Sequence, residues 1–246
     1  DIWKYNKAVK DKSVGQEAIE SVLRQIIQVK VIGKEAAIEK VQLETDEKEE
    51  ADYRAKTVFD SISAKDKQTQ GIELKVLSKI FEENKLAQKM YNVQMGKLKI
   101  DYAANTLSAA KVELIYQAAN AKNKETVKNT MSQILSEVTS SQNSFYTVAK
   151  NKTQADAIEY VIGNQDSRTN LAKAVVSLKK NQTSALIEEK DGFYIAHCIQ
   201  TNSAALQQQY RNQLVSEKQT ESFQKTYKIW SDKFDVKVSK ALLAAN

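Results

Sequence analysis

The segment from Ile158 to Cys198 most constrains the fold, because strand and helix patterns alternate within it. Its first apolar run, AIEYVI, is broken by Gly163 and Asn164 and predicts a short strand. TNLAKAVVSL follows, with apolar residues spaced as on one helix face. TSALIEE and GFYIAHCIQ then predict two strands joined at Asp191-Gly192, a dipeptide typical of tight hairpins. We therefore expect a small β-rich unit within a longer helical chain.

Most of the remaining chain shows helical periodicity. Apolar faces recur through residues 13–98 and predict a bundle of three to five helices, with Ser13 as the N-cap of the first and Thr45 starting a later one. The polar stretch SAKDKQTQG is expected to be a connection. Residues 101–111 predict a short helical link into a strand, KVELIYQA. Two further helices are expected over KNKETVKNTMSQILSEVTSSQ and FYTVAKNK, another over 205–234, and a short edge strand or tail over 235–243.

Charge and residue usage exclude several classes of function. The net charge is +6, but lysines alternate with glutamates and form no basic stripe, which argues against a nucleic-acid partner. Proline is absent and there are six glycines, as expected for a mostly helical chain. The sequence shows no metal-ligand spacing and no Gly-rich phosphate loop, so we expect neither metal nor cofactor. His197 and Cys198 are adjacent in a strand and point to opposite faces, so they form no catalytic pair.

Several segments resemble one family of folding enzymes. SLKKNQTSALIEEKDGFYIAHCI resembles the end of the parvulin-type peptidyl-prolyl isomerase domain, and QNSFYTVAKNKTQADAIEYVIG resembles an earlier helix and strand of it. QGIELKVLSKIFEENKLAQKMY is similar to the helix that precedes this domain in exported foldases of the SurA/PrsA class. FQKTYKIWSDKFDVKV is similar to their closing helix and last strand. The resemblance follows the family's order along most of the chain.

The resemblance implies an α+β architecture with an inserted domain. A mostly helical chaperone domain would be built from both chain ends, as residues 1–109 and 201–246, with the C-terminal helix packed on the N-terminal helices. A parvulin-like domain of the FKBP-like α+β type would occupy residues 110–200. An inserted domain of this kind has its two ends close together.

The resemblance also locates a degenerate pocket. Active parvulins hold a proline ring in an apolar pocket, with two histidines and a Cys or Asp around the peptide bond. The positions of those histidines fall on Leu114 and Tyr194, and Leu171 is nearest the pocket phenylalanine, so no catalytic residue is assigned. His197 has an odd offset from Tyr194 and is expected on the opposite sheet face, at the surface or partly packed. The implied substrate-binding positions are Leu114, Tyr116, Leu171, Tyr194 and Cys198.

The function implied is that of an exported foldase or chaperone, which binds unfolded or nascent secreted polypeptides and has a parvulin-like domain without strong isomerase activity. Two alternatives stay open: an active peptidyl-prolyl isomerase with a diverged pocket, and a structural or partner-binding protein of the cell surface. Enzymatic activity is therefore undecided. The implied location is extracytoplasmic, and the resemblance is compatible with a lipid anchor outside this sequence and with a homodimer.

Overall fold

The computed structural model describes residues 16–103, 106–140 and 143–235. They form two compact units. The first, which we call the helical unit, combines residues up to Lys99 with those from Gln219 onward, and the second, the inserted unit, runs from Ile100 to Lys218. The fold is α+β with a domain inserted between two parts of a helical one, as the sequence predicts. The compact units divide at positions different from the domain limits proposed at 109/110 and 200/201, which stay predictions.

Eight helices and four strands are assigned within the described residues. In chain order they are α1 (Gln16–Ile38), α2 (Thr45–Ser61), α3 (Ala64–Gln70), α4 (Leu74–Gly96), β1 (Ala109–Ala118), α5 (Lys124–Thr139), α6 (Phe145–Lys152), β2 (Glu159–Gly163), α7 (Thr169–Ser177), β3 (Ile187–Glu189), β4 (Gly192–Gln200) and α8 (Ala204–Ser231).

The core of the helical unit joins segments that are distant in the sequence. Val31 and Ile32 of α1, Met90 of α4 and Trp230 of α8 are buried in one apolar cluster. The cluster confirms that the C-terminal helix packs on the N-terminal helices. Beside it, the buried Glu35 accepts a 2.7 Å hydrogen bond from the ammonium group of Lys233.

Helix α2 packs on α4 through small side chains and charged pairs. Its buried residues are Ala51 and Ala55, whose size allows the two helices to approach closely. The helix α2 begins at Thr45, as the sequence predicts. Its capping box is formed by Glu44 and Glu47, one residue before Thr45 and Lys48, the positions at which the sequence was tested for one.

The predicted polar connection at residues 63–71 contains a two-turn helix, α3, so that prediction is wrong. Ser63 caps it by accepting a 3.0 Å hydrogen bond from the Asp66 amide. Gly71 ends it in the left-handed conformation, with φ of 59°. Lysine and glutamine are good helix formers, and the Lys67 ammonium group lies 4.2 Å from the centre of the Phe59 ring of α2, so a polar segment can form a helix here.

The inserted unit is a four-stranded antiparallel sheet in the order β2-β1-β4-β3. Helix α7 covers one face of the sheet, and α5 and α6 cover the other. β1 begins at Ala109, which corrects the helical link predicted over residues 101–111. β3 has three residues instead of the predicted seven. The Ser184 hydroxyl accepts a 3.0 Å hydrogen bond from the Ala196 amide, and this side-chain contact interrupts the backbone ladder between the two strands.

Two glycines of the sheet sit where a side chain does not fit. A methyl group at Gly192, which follows the β3–β4 turn with φ of 155°, would overlap the carbonyl oxygen of Gln117 on β1. A methyl group at Gly163, at the end of β2, would lie 2.5 Å from the Ser108 carbonyl oxygen and would overlap the ring of Tyr210. Both glycines therefore allow close backbone packing.

Two predictions, the N-cap at Ser13 and the edge strand or tail over residues 235–243, lie outside the described residues or extend beyond them. Within the described residues, no helix combines the length and the apolar character that a bilayer crossing requires.

Candidate functional site

The sheet register brings the predicted pocket positions onto one face. Tyr116 on β1 is opposite Tyr194 on β4, and Val112 is opposite Cys198. Side chains two residues apart on a strand share a face, so Leu114 lies on the same face as both tyrosines. Leu171 approaches from α7. All five predicted positions meet in one cluster, which we call the apolar cluster and whose further buried members include Val112, Ile162, Val175, Ala196 and Leu178.

The apolar cluster is filled by its own side chains. The exposed fraction is 1% for Leu114, 2% for Tyr194 and zero for both Leu171 and Cys198. Interiors packed in this way leave no room for another ring without displacement of a side chain. Burial also raises the pKa of the Cys198 thiol, which keeps it protonated and weakly nucleophilic. The predicted residues are thus brought together, but they form a closed core and no open pocket.

Hydrogen bonds hold both tyrosines at the rim of the apolar cluster. Their rings stack with centroids 4.6 Å apart. The Tyr194 hydroxyl donates to the Asp191 carboxylate at 2.6 Å, and the Tyr116 hydroxyl donates to the Asp191 carbonyl oxygen at 3.0 Å. Burial, and secondarily the Asp191 carboxylate, raises the pKa of both phenols above their usual value. Both hydroxyls therefore remain protonated donors near neutral pH.

Arg168 lies beside Tyr194 in an ordered position. Its Nε and Nη2 atoms donate to the two oxygens of Asp166 at 2.9 and 2.7 Å, and its Cζ atom is 5.5 Å from the centre of the Tyr194 ring. The hydrogen bonds that it donates to Asp166 are the main reason why the pKa of the guanidinium lies above its usual range. Bidentate pairing fixes the plane of the guanidinium as well as its charge.

An open cleft of about 830 Å³ lies next to this rim. Its wall is formed by the segment after β1, by the start of α7 and by the β3–β4 hairpin. A 2.6 Å ion pair between Lys124 and Glu188 is part of the wall. Glu189 accepts hydrogen bonds from the amides of Asn170 and Leu171, so it caps α7 from a distant strand.

His197 lies on the opposite face, as its offset predicts. Its Nδ1 atom is 2.9 Å from the Thr183 hydroxyl, and its ring stacks on Phe145 with centroids 5.3 Å apart. Burial lowers its pKa, so the ring is mainly neutral near pH 7. The apolar cluster and the cleft are therefore built without a histidine.

The cleft residues Arg168, Glu188 and Asp191, and Asp166, which pairs with Arg168, were not among the predicted site positions. One signal was available, because Asp191 precedes the hairpin glycine and is thus placed at a strand end. The Asp166–Arg168 pair is local, formed within the turn before α7. The Lys124–Glu188 pair joins residues that are distant in the sequence, and residue spacing alone does not predict it.

Residues 107–203 match the family model of the rotamase, or PPIC-type PPIase, domain. This match assigns residues 107–203 of the chain to a PpiC-type domain. The match includes the whole sheet, α5 to α7, the apolar cluster and the segments that line the cleft. A search of curated proteins finds no match to this chain.

Solved structures with detectable similarity include a PpiC-type peptidyl-prolyl isomerase domain, with 20% identity, 41% of this chain and 98% of that chain covered, and a TM-score of 0.36. The peptidyl-prolyl isomerase PrsA of Bacillus anthracis shows 14% identity over 89% of this chain and 99% of its own, with a TM-score of 0.46. One of two SurA-like chaperones of Campylobacter jejuni shows 11% identity, 96% and 93% coverage, and a TM-score of 0.35.

Proposed function

We propose that this chain is an extracytoplasmic foldase that binds unfolded or nascent secreted polypeptides, and that its PpiC-type domain has no strong isomerase activity. The observation that carries the proposal is the closed apolar cluster, which includes Leu114 and Tyr194. The resemblance implies that these two residues stand at the positions of the family's histidines. A PpiC-type domain has polypeptide as its substrate class, whereas a closed core offers no place for a proline ring.

The energetics support the loss of strong isomerase activity. The rotation barrier of a peptide bond is about 18–20 kcal/mol, and an isomerase lowers it by contacts made to the twisted bond. Such contacts require the bond to enter a preorganised site. In this domain Tyr194 and Leu171, two of the predicted pocket positions, are buried within the closed apolar cluster.

The helical unit offers apolar side chains for polypeptide binding. Tyr53 and Val58 of α2 are 73% and 40% exposed, and Ile38 and Ile229 are also exposed. Exposed apolar residues are common singly, but an unfolded chain presents apolar groups that such positions can bury. We therefore assign polypeptide binding in part to α2.

Suppression of aggregation tests the foldase proposal. Several unrelated denatured proteins are diluted into buffer with the full chain at equimolar concentration, and light scattering is followed. We expect reduced scattering, and a weaker effect for the double variant Tyr53→Ser/Val58→Ser. Tyr146→Ser, which removes a 47% exposed ring from α6 of the inserted unit, is the matched control. Absence of suppression by the unmodified chain would contradict the proposal.

Proline isomerisation tests the second part of the proposal. The cis–trans isomerisation of a short Xaa-Pro peptide and the refolding of a protein limited by a prolyl bond are followed in the presence of the chain at micromolar concentration. We expect the uncatalysed timescale of tens to hundreds of seconds in both assays. Acceleration would instead favour an active isomerase with a diverged pocket. In that case the Tyr194 hydroxyl and the Arg168 guanidinium, both at the rim of the apolar cluster, become the first groups to replace.

The extracytoplasmic location, a lipid anchor outside this sequence and a homodimer belong to the same proposal. Fractionation of cells that express the full-length precursor tests the location, and release by detergent but not by salt tests the anchor. Sedimentation of the purified chain tests the dimer. A precursor that stays in the cytoplasmic fraction would contradict the assigned location.

A further inference from the structure

The cleft beside the apolar cluster has the size of a ligand site and a balanced charge. Its volume of about 830 Å³ lies within the range of roughly 300–1,000 Å³ that is usual for such sites. Three basic residues (Lys124, Arg168, Lys190) and three acidic residues (Glu188, Glu189, Asp191) line it. A wall with equal numbers of both charges favours a neutral polar ligand over an anion or a cation.

Most charged groups of the wall already have partners in the fold. Lys124 pairs with Glu188, Glu189 accepts the α7 amides, and Asp191 accepts the Tyr194 hydroxyl. These contacts fix the shape of the cleft before any ligand arrives. A preorganised site loses less conformational entropy on binding than a mobile one.

Arg168 has donor capacity that its ion pair does not use. The pair with Asp166 takes Nε and Nη2 and leaves the Nη1 amino group outside it, and the Tyr194 hydroxyl also interacts with the guanidinium. The side chain is 31% exposed and lines the cleft. A guanidinium carries five N–H donors and no acceptor, so the group that suits Nη1 is an oxygen acceptor such as a peptide carbonyl.

The cleft offers little for the recognition of side chains. Its apolar contributors are Ala119, Ala121 and Phe193, and Phe193 is 1% exposed. The adjacent apolar cluster is closed by Tyr194 and Leu171, so it accepts no side chain from a bound peptide. A peptide bound in the cleft would therefore be recognised through its main-chain groups, which are the same in every polypeptide segment.

We propose that the cleft binds the main chain of an extended polypeptide without preference for proline, and that Arg168, positioned by Asp166, donates to a carbonyl oxygen of the bound segment. The inference rests on the proposed function, because it names the ligand class of the PpiC-type domain. Binding through the main chain would let the domain accept many sequences. The Tyr194 side chain fills space that a proline ring would need, so proline gains no advantage.

Paired peptides test the absence of proline preference. Two neutral, unstructured peptides that differ only by Pro or Ala at the central position are titrated into the ¹⁵N-labelled full chain. We expect shifts at residues 119–124, 167–170 and 188–193, and affinities that agree within about threefold, a difference under 1 kcal/mol. A tenfold or greater preference for the proline peptide, or shifts confined to other surfaces, would overturn the inference.

Variants of the ion pair test the role of Arg168. Arg168→Gln is expected to weaken both peptides about tenfold or more, because hydrogen bonds that involve a charged group are worth about 1.5–3 kcal/mol. Asp166→Asn keeps the guanidinium and loosens it, so a smaller loss is expected. Lys173→Gln, at an exposed position of α7 outside the cleft lining, makes the same charge change and should bind like the unmodified chain.

Far-UV circular dichroism and the dispersion of the amide spectrum establish that each variant is folded. A folded Arg168→Gln variant that binds both peptides as tightly as the unmodified chain would overturn the role of Arg168. If that variant does not fold, the shift map of the unmodified chain decides the location of the site alone. Aggregation suppression without shifts at the cleft would refute this inference and leave the foldase proposal standing, whereas failure of suppression would refute the foldase proposal itself.

Discussion

Tyr194 belongs to both the apolar cluster and the rim of the cleft. Its ring stacks on Tyr116 within the sheet face, and its hydroxyl donates to the Asp191 carboxylate. Because its pKa is raised above the usual value of a phenol, the hydroxyl stays protonated throughout the neutral range. A histidine at this position would change its protonation state near pH 6.5, so tyrosine makes the rim insensitive to physiological pH.

Gly163 gives a residue-scale prediction about stability. Gly163→Ala is expected to lower the free energy of unfolding of the inserted unit by about 1–3 kcal/mol, because the added methyl group meets the Ser108 carbonyl and the Tyr210 ring. Urea denaturation followed by tyrosine and tryptophan fluorescence measures it.

The matched control is Gly33→Ala in α1, where an added methyl group has no atom within 4 Å. That variant should stabilise the helical unit by about 0.5–1 kcal/mol, since alanine is the better helix former. Equal and small effects at both positions would show that the Tyr210 ring moves aside at Gly163.

The alternation of strand side chains made part of the site predictable. Leu114 and Tyr116 share a face because they are two residues apart, and the same holds for Tyr194 and Cys198. The relative register of β1 and β4, which brings these pairs together, follows from the whole sheet and not from either strand. The position of Arg168 was unpredictable for a similar reason, since its neighbours come from β4 and from its own turn.

The attachment of helix α2 to α4 depends largely on ion pairs. It buries two alanines against α4, and its ion pairs join Glu47 to Lys89 at 2.6 Å and Glu50 to Lys85 at 2.5 Å. The hydrogen bond from Lys89 lowers the pKa of Glu47, and the hydrogen bond from Lys85 lowers the pKa of Glu50. A helix held in this way is expected to open at lower free energy than the rest of its unit.

Acidification should therefore release α2 first. A carboxylate whose pKa is lowered in the folded state stabilises the fold above its unfolded pKa of 4.5, and that stabilisation is lost as the pH falls through the lower folded value. We expect hydrogen exchange in α2, corrected for the intrinsic pH dependence, to lose protection below pH 4.5 before α1 does.

The double variant Glu47→Gln/Glu50→Gln is the control for this prediction. It should show weaker protection of α2 at pH 7 and little further change on acidification. Raising the salt concentration should reduce the protection of α2 in the unmodified chain, because these pairs are partly solvent-exposed. Protection of α2 that is equal at pH 7 and pH 3 would contradict the role of the ion pairs.

Element types were largely predictable, whereas one short helix and the length of one strand were not. The helices over residues 124–139 and 145–152 and the strand at 192–200 follow from apolar spacing and from the Asp191-Gly192 turn. Helix α3 was missed because its composition is polar, although Ser63 with Asp66 three residues later is a capping signal. β3 is short because the Ser184 side chain replaces a backbone partner, a contact that the strand pattern does not encode.

At the scale of the molecule, the two ends of the inserted unit meet. The Ala109 amide donates to the Asn202 side chain at 3.1 Å, and the Gln207 side chain donates to the Leu107 carbonyl at 2.9 Å. The first part of α8 completes the core of this unit, since Leu214 and Tyr210 pack with Leu107. The resemblance alone assigned all of α8 to the helical domain, and the structure divides it between the two units.

Removal of residues 110–199, with the ends bridged by a short flexible linker, should leave a folded helical unit. The remaining start of α8 would then expose Leu206, Tyr210 and Leu214, so a companion variant replaces these three by serine to keep the fragment soluble. We expect cooperative thermal unfolding of this fragment by circular dichroism. A broad thermal transition without a folded-state baseline would show that the helical unit does not fold cooperatively without the inserted unit.

The sheet order has a consequence for how the chain is made. β1 and β4 are central neighbours, yet one comprises residues 109–118 and the other residues 192–200, so their pairing waits until translation has passed both. The helical unit waits longer, because Trp230 closes its core. The newly made chain therefore leaves β1 and the core of the helical unit without their partners until the residues up to Trp230 have been added. Residues 1–246 contain no proline, so no prolyl bond within them delays the completion of either core.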